Sequence, residues 1–337
     1  MSDNTKIQAF CNKIKERLGV TDCRSFSGRV ESIVALIDGL ELGPKDCVFV
    51  SALASSDVIK AILACGVNPV LCDVTPDSLT VDHRALEAAV RHIIAGGQVY
   101  PRAAVLDNFC GMPFALRAVK NVCDRMGLIL VEDCGECLGG VSDGVMCGAV
   151  GDYALISLGR SSVFGTGGSG SLIAVNDGTD FTAKIIGCDG GSYRHADDGY
   201  AEALLEAANG MDHVLSVSRE AAAKVEDILS DSDFWLQRGS GRQKSSYGRV
   251  AIIGQSAGHA AAAVESFASA GLSDYVRRVH VHTKSCFKHG CGGFKNINNA
   301  SAVAPRAFSV DLFGAIHAGK TEKLLGHIRY IAGHIHE

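Results

Sequence analysis

The chain is 337 residues long, with 13 cysteines, 6% aromatic residues and a formal net charge of −5. That length exceeds what one hydrophobic core usually serves, so a large domain with a smaller companion is expected. An acidic balance without a basic run, together with sparse aromatics, offers neither the electrostatic footprint nor the stacking platforms of a nucleic-acid partner. No run of about 18 apolar residues marks a membrane span. The opening MSDNTKIQAF lacks the basic-then-apolar layout of a signal peptide. A soluble cytoplasmic protein with reduced cysteines is expected, and its partner is a small molecule or another protein.

In chain order, apolar residues at Ile7, Phe10, Cys11, Ile14 and Leu18 predict a helix, and a second helix follows over Arg29 to Leu40. GPKD then turns into the strand CVFVS, and SSDVIKAILACG reads as a helix closed by Gly66 before the strand NPVLCDV. The unit repeats. LTVDHRALEAAVRHII is amphipathic, PRAAVLDNF a strand, FALRAVKNVCDRMG a helix closed by Gly127, and LILVEDC a buried strand. Strands alternating with helices imply parallel pairing through right-handed crossovers, hence a layered α/β sheet. ISLGRSSVFGTGGSGSLIAVND reads as strand, Ser/Gly-rich loop and strand.

A long helical pattern runs from about Tyr200 to Leu229, interrupted at Asn209-Gly210. DSDFWLQRGSGRQKSSYG reads as a polar loop and a domain boundary. Residues 1–229 are therefore assigned to a large domain and 230–337 to a smaller α/β domain. The latter holds the strand GRVAIIG, the helix AGHAAAAVESFASAG and the closing helix TEKLLGHIRYIAGHI.

The order and spacing of ELGPKDCVFVSAL, AILACGVNPVLCDVTPDSLTVDHRALEAAV, FCGMPFALRAVKNVCDRMGLILVEDCGECLGG, CGAVGDYALISLGR and GSGSLIAVND resemble the DegT/DnrJ/EryC1/StrS family. Its members are pyridoxal-phosphate enzymes of fold type I that act on nucleotide-linked keto-sugars. AFSVDLFGAIHAGKTEKLLGHIRYI is similar to the family's closing strand, turn and helix. The resemblance implies an aspartate aminotransferase-like large domain with a mostly parallel sheet, a small C-terminal domain, and a homodimer with sites at the subunit interface.

Carried over by position, Asp133 matches the aspartate on the pyridine nitrogen, where a carboxylate keeps the ring protonated as an electron sink. Ser157 matches the phosphate-binding serine. Glu136 stands where the family has Gln or His near the ring hydroxyl, and a negative charge there repels the phenolate unless protonated. Ser162 falls at the Schiff-base lysine position, and no lysine occurs between Lys120 and Lys184. A serine forms no aldimine and supplies no amine base. The S-G-T-A phosphate cup becomes Ser27-Gly28-Arg29-Val30, where Gly28 remains and Arg29 can grip a phosphate. Ser55 replaces the aromatic residue that stacks on the ring, and the G-x-N-x-R segment is not recognisable over 197–210.

These departures imply that no cofactor is bound covalently, which leaves only non-covalent binding of pyridoxal phosphate or pyridoxamine phosphate. Two readings follow. One is a degenerate, non-transaminating member that acts as a binding, scaffold or regulatory partner, paired with itself or with an active aminotransferase paralogue in nucleotide-sugar or polysaccharide biosynthesis. The other is an aminotransferase or dehydratase that uses non-covalent cofactor on a keto-sugar. His195 is the nearest downstream histidine to replace the lysine as base, although an isolated histidine more often serves packing or surface.

Two further clusters have bland alternatives. Cys134 and Cys137 fit C-x-x-C, readable as redox chemistry or as small residues in a packed turn. His280, His282, Cys286, His289 and Cys291 are zinc-type ligands, but C-x4-C is loose spacing and no second pair follows. The segment is read as a loop at the site's mouth, without a metal assigned. GTGGSGS lacks the Lys-Ser/Thr of a P-loop.

Overall fold

The computed structural model describes residues 5–168, 170–176, 198–281 and 296–335. The helices of the first half are α1 (Thr5–Leu18), α2 (Arg29–Gly39), α3 (Ser56–Ala64), α4 (His83–Gly96) and α5 (Leu116–Met126). They alternate with β1 (Asp22–Phe26), β2 (Asp46–Ser51), β3 (Asn68–Cys72), β4 (Tyr100–Asp107) and β5 (Ile129–Asp133). The short strands β6 (Val141–Ser142) and β7 (Val145–Met146) precede β8 (Tyr153–Ser157) and β9 (Ser171–Val175). A seven-stranded sheet results, in the order β1-β9-β8-β5-β4-β2-β3. The pairs from β8 through β3 are parallel, while β9 runs antiparallel to both of its neighbours.

The central strands are buried on both faces, which is why VFV, LILV and YALI read as continuous apolar runs. On one face, Phe10 and Ile14 of α1 pack with Leu86 and Val90 of α4 and Leu116 and Val119 of α5. On the other, Ile33, Leu36 and Ile37 of α2 pack with Val58, Ile59 and Ile62 of α3. Gly127 closes α5 with φ +68, a left-handed conformation that favours glycine. Parallel strands all end on the same edge, so the last residues of β4, β5 and β8, namely Asp107, Asp133 and Ser157, are brought together there.

Helix α6 (Asp198–Leu229) runs unbroken through Asn209-Gly210, contrary to the expected interruption. A side chain at Gly210 would meet nothing, so its cost is that of glycine's propensity alone, about 1 kcal/mol. Buried neighbours such as Ala208 and Met211 offset it. The first half of the helix packs on the large core through Leu204, Met211 and Leu215, whereas Ala222, Val225 and Leu229 belong to the core of the second half. That second half contains β10 (Phe234–Leu236), β11 (Gln243–Lys244), β12 (Arg249–Gly254), α7 (Ala257–Ser269) and β13 (Val276–Arg278). It closes with α8 (Asn298–Val303), β14 (Ala307–Asp311), α9 (Leu312–His317) and α10 (Thr321–His334).

An antiparallel sheet ordered β10-β12-β14-β13 carries this part, and β11 joins β6 and β7 in a three-stranded sheet. The stretch read as a polar loop after Ser230 therefore contains two short strands. Strand β1, absent from the sequence reading, is also present: in DCRSF the polar residues Asp22 and Arg24 alternate with buried Cys23 and Ser25. No helix among the described residues is long and apolar enough to cross a membrane.

Candidate functional site

A cavity of about 710 Å³ opens at the C-terminal edge of the large sheet, where β5, β4 and β8 end and the start of α3 and strand β13 close in. Of the residues singled out in the sequence, Arg29, Ser55, Asp133, Glu136, Ser157 and His280 line it. Gly28 precedes Arg29 as the extended N-cap of α2, with φ −158. Ser162 is not among the lining residues. It is 2% exposed, its hydroxyl donates to the Gly159 carbonyl at 2.6 Å, and the loop's Gly159, Arg160 and Ser161 face the cavity instead. His195, His282, Cys286, His289 and Cys291 lie outside the described residues.

Asp133 is buried at the end of β5, and both of its oxygens are engaged. Oδ1 accepts from the Gly135 N–H at 3.1 Å, and Oδ2 is in close contact with Nη2 of Arg29. Burial alone would lower the Arg29 pKa, but the charge and hydrogen bond of Asp133 outweigh it and raise the value, with help from Glu136 and Asp57. Arg29 thus grips the carboxylate assigned to the ring, not a phosphate. The repulsion expected of Glu136 is met within the chain: its carboxylate accepts from Nε of the buried Arg249 at 2.9 Å. Arg249 also lies 3.4 Å from Asp311, which in turn accepts from the Ser161 hydroxyl at 2.5 Å and from the Gly314 N–H at 2.9 Å.

The sequence reading missed Asp107 and Asn108. Asp107 stands directly beside Asp133 in the parallel register of β4 and β5. Burial, then the charge of Asp133, pushes its carboxyl up to about 7, against a hydrogen bond from Ser51. Its Oδ1 is buried without a partner among the described residues. Asn108 braces the site, donating to the Asp133 carbonyl at 3.2 Å and accepting from Phe114 N–H at 3.1 Å. A carboxyl at the end of a strand beside a second carboxyl is a signal readable in LDNF and VEDC, but only once the strand register is known.

The C-x-x-C cysteines are not partners of each other. Cys137 Sγ lies 3.3 Å from Cys147 Sγ and 3.0 Å from the Gly111 carbonyl, whereas Cys134 faces Asn108. Burial pushes the Cys134 thiol upward, which disfavours the thiolate a redox site needs. Cys110 lines the cavity, but burial raises its thiol too.

A large mixed, mostly parallel sheet that gathers an aspartate and a serine at its edge, with a smaller antiparallel domain beside it, is the architecture of the fold type I pyridoxal-phosphate transferases. The solved structure of a DegT/DnrJ/EryC1/StrS aminotransferase from Brucella abortus is similar over 98% of this chain and 91% of its own, with a TM-score of 0.84 at 20% identity. Among sequences, the L-glutamine:2-deoxy-scyllo-inosose aminotransferase of Streptomyces paromomycinus is 26% identical over 239 residues, 64% of this chain and 54% of that protein. The dTDP-3-amino-3,4,6-trideoxy-alpha-D-glucose transaminase of Micromonospora megalomicea subsp. nigra is 28% identical over 170 residues, 50% of this chain and 42% of that one. The chain thus spans about half the length of the curated relatives it matches. The DegT/DnrJ/EryC1/StrS aminotransferase family profile matches residues 1–329, and the chain belongs to that family.

The described residues of the cavity do not fit the family's cofactor held as an aldimine. Among the described residues lining the cavity there is no lysine, the acceptor for a pyridinium N–H is already held by Arg29, and Ser55 offers no aromatic face, Phe109 being the aromatic ring the described lining includes. What remains can bind and hold protons: the Asp107 carboxyl, which burial raises to about 7, serine hydroxyls at 55, 56 and 157, and arginines at 160, 277 and 278 in the lining.

Proposed function

We propose that this chain is a non-transaminating member of its family, acting as a binding, scaffold or regulatory partner in nucleotide-sugar or polysaccharide biosynthesis. It works as a homodimer or beside an active aminotransferase paralogue. The observation that carries this reading is the ion pair of Arg29 with Asp133 in a cavity where no lysine is found among the described lining residues. Transamination needs an amine that forms the aldimine and then shuttles a proton, and neither a serine hydroxyl nor a guanidinium held charged by a carboxylate does that. The relatives' printed activities on a dTDP-linked sugar and on an inosose suggest the chemical neighbourhood of the partner.

The second reading is an enzyme that holds pyridoxal or pyridoxamine phosphate non-covalently, and it draws support from the convergence of Asp133, Ser157 and Arg29 on one cavity. It asks Arg29 for the phosphate and Asp133 for the ring nitrogen at once. Those roles compete while the two side chains hold each other. The half-reaction decides: purified protein with pyridoxal phosphate and L-glutamate or L-glutamine is expected to form no pyridoxamine phosphate above a protein-free control. Enzyme-equivalent formation would overturn the proposal.

A further inference from the structure

We infer that Arg29 is a built-in occupant of the pyridine seat, a planar cation from the chain itself that takes the Asp133 carboxylate and excludes the cofactor. This deepens the non-transaminating reading, since it makes the site closed from within and not merely short of a lysine. The two conditions differ in consequence. A lysine-free site with a free aspartate would still bind pyridoxamine phosphate, which needs no Schiff base, whereas a site filled by Arg29 would not.

The placement of the guanidinium carries the inference. Arg29 is the first residue of α2, and its side chain reaches across the sheet edge to a carboxylate 104 positions away in sequence. A Cβ placed on Gly135 would lie 2.9 Å from Arg29 Nη1, 3.3 Å from Asp133 Oδ1 and 3.6 Å from the Cβ of Ser157. The guanidinium therefore sits over the Gly135 backbone, in the space between the ends of β5 and β8. It presents an N–H to the aspartate, as a protonated pyridine would. With Oδ1 committed to Gly135 N–H, Oδ2 is the oxygen left for such a donor, and Arg29 holds it. Departure of Arg29 would leave Asp133 buried beside Asp107 without its ion-pair partner, a costly arrangement that a ligand must outweigh to enter.

The test is a calorimetric and ring-fluorescence titration of the purified protein with pyridoxamine phosphate, which has no aldehyde to react with surface lysines. Wild type is expected to show no saturable binding up to about 1 mM, whereas Arg29→Thr binds saturably with affinity at least about tenfold higher. Arg29→Thr/Asp133→Asn returns to wild-type behaviour because the pyridinium acceptor is gone. Arg29→Ala, which leaves no donor at Asp133 from position 29, provides the same comparison should Arg29→Thr not fold. Wild-type binding as tight as that of the variants would overturn the inference, as would folded variants that bind no better than wild type. Neither outcome touches the half-reaction above, which alone judges transamination.

Discussion

At the scale of single residues, the site turns on three charges: Asp133, its partner Arg29, and the neighbouring Asp107. Asp107 is raised by burial and by Asp133 to about 7, well above an unfolded aspartate near 3.9. A carboxyl raised on folding leaves the native state holding more protons than the unfolded one between those values, so stability falls as pH rises through that window. Asp107→Asn, neutral at every pH, is expected to match wild type near pH 4 and to exceed it above pH 7, by up to about 4 kcal/mol. Urea unfolding of both proteins at pH 4.5, 6 and 8 checks this, and parallel profiles would show that Asp107 ionises freely. Arg29 was legible as an anomaly in Ser27-Gly28-Arg29-Val30, but its target was not. A long side chain on the first turn of a helix can reach outward for a ligand or inward for a carboxylate, and only the placement of α2 against the strand ends decides.

At the scale of elements, the loop between β8 and β9 shows why counting along a motif is not enough. A gapless count puts Ser162 at the lysine position, yet the loop folds into tight turns, with Ser162 N–H bonded to Gly159 O and Gly165 N–H to Ser162 O, which turn position 162 inward. The loop is pinned from outside by Tyr200, whose hydroxyl donates to the Leu158 carbonyl at 3.1 Å, and by the ring of His317. Gly165 sits at φ +61, and a Cβ there would approach the His317 ring to 2.2 Å. Gly165→Ala is expected to cost about 2 kcal/mol or more, from left-handed backbone strain plus displacement of α9. Thermal unfolding measures it, and a melting temperature equal to wild type would mean that the loop does not rest on His317. The long helices and buried strands were legible because periodicity and apolar runs survive without tertiary context. Strand β10 was not, since three residues in a polar stretch carry too little pattern.

At the scale of the whole molecule, the two halves are joined by α6 and by a chain of charges beneath the cavity. Arg249, 3% exposed, links Glu136 of the large half to Asp311 of the small one, and Asp311 in turn holds Ser161. Removing the cation leaves Asp311 buried without its counter-ion. Arg249→Ala is therefore expected to destabilise by about 3–5 kcal/mol, measured by denaturant midpoint. Arg249→Lys is expected to recover only part of that, since it cannot bridge both carboxylates in the same fork geometry. A change below about 0.5 kcal/mol would place the pair among solvated ion pairs. The α/β order and the family were readable from the spacing of whole segments, because chain order and crossover rules leave few ways to pack such a pattern. The chemistry was only half readable: the absence of lysine between Lys120 and Lys184 is visible in the sequence, but the internal ion pair needs residues 29 and 133 in one place.

The most direct measurement is borohydride reduction of the purified protein with pyridoxal phosphate, followed by intact mass and peptide mapping. No stoichiometric pyridoxyl-lysine is expected, only trace and unsaturable labelling of exposed lysines. One equivalent of adduct on a single lysine would contradict the central claim, because it would mean that the chain brings an amine to the cofactor after all.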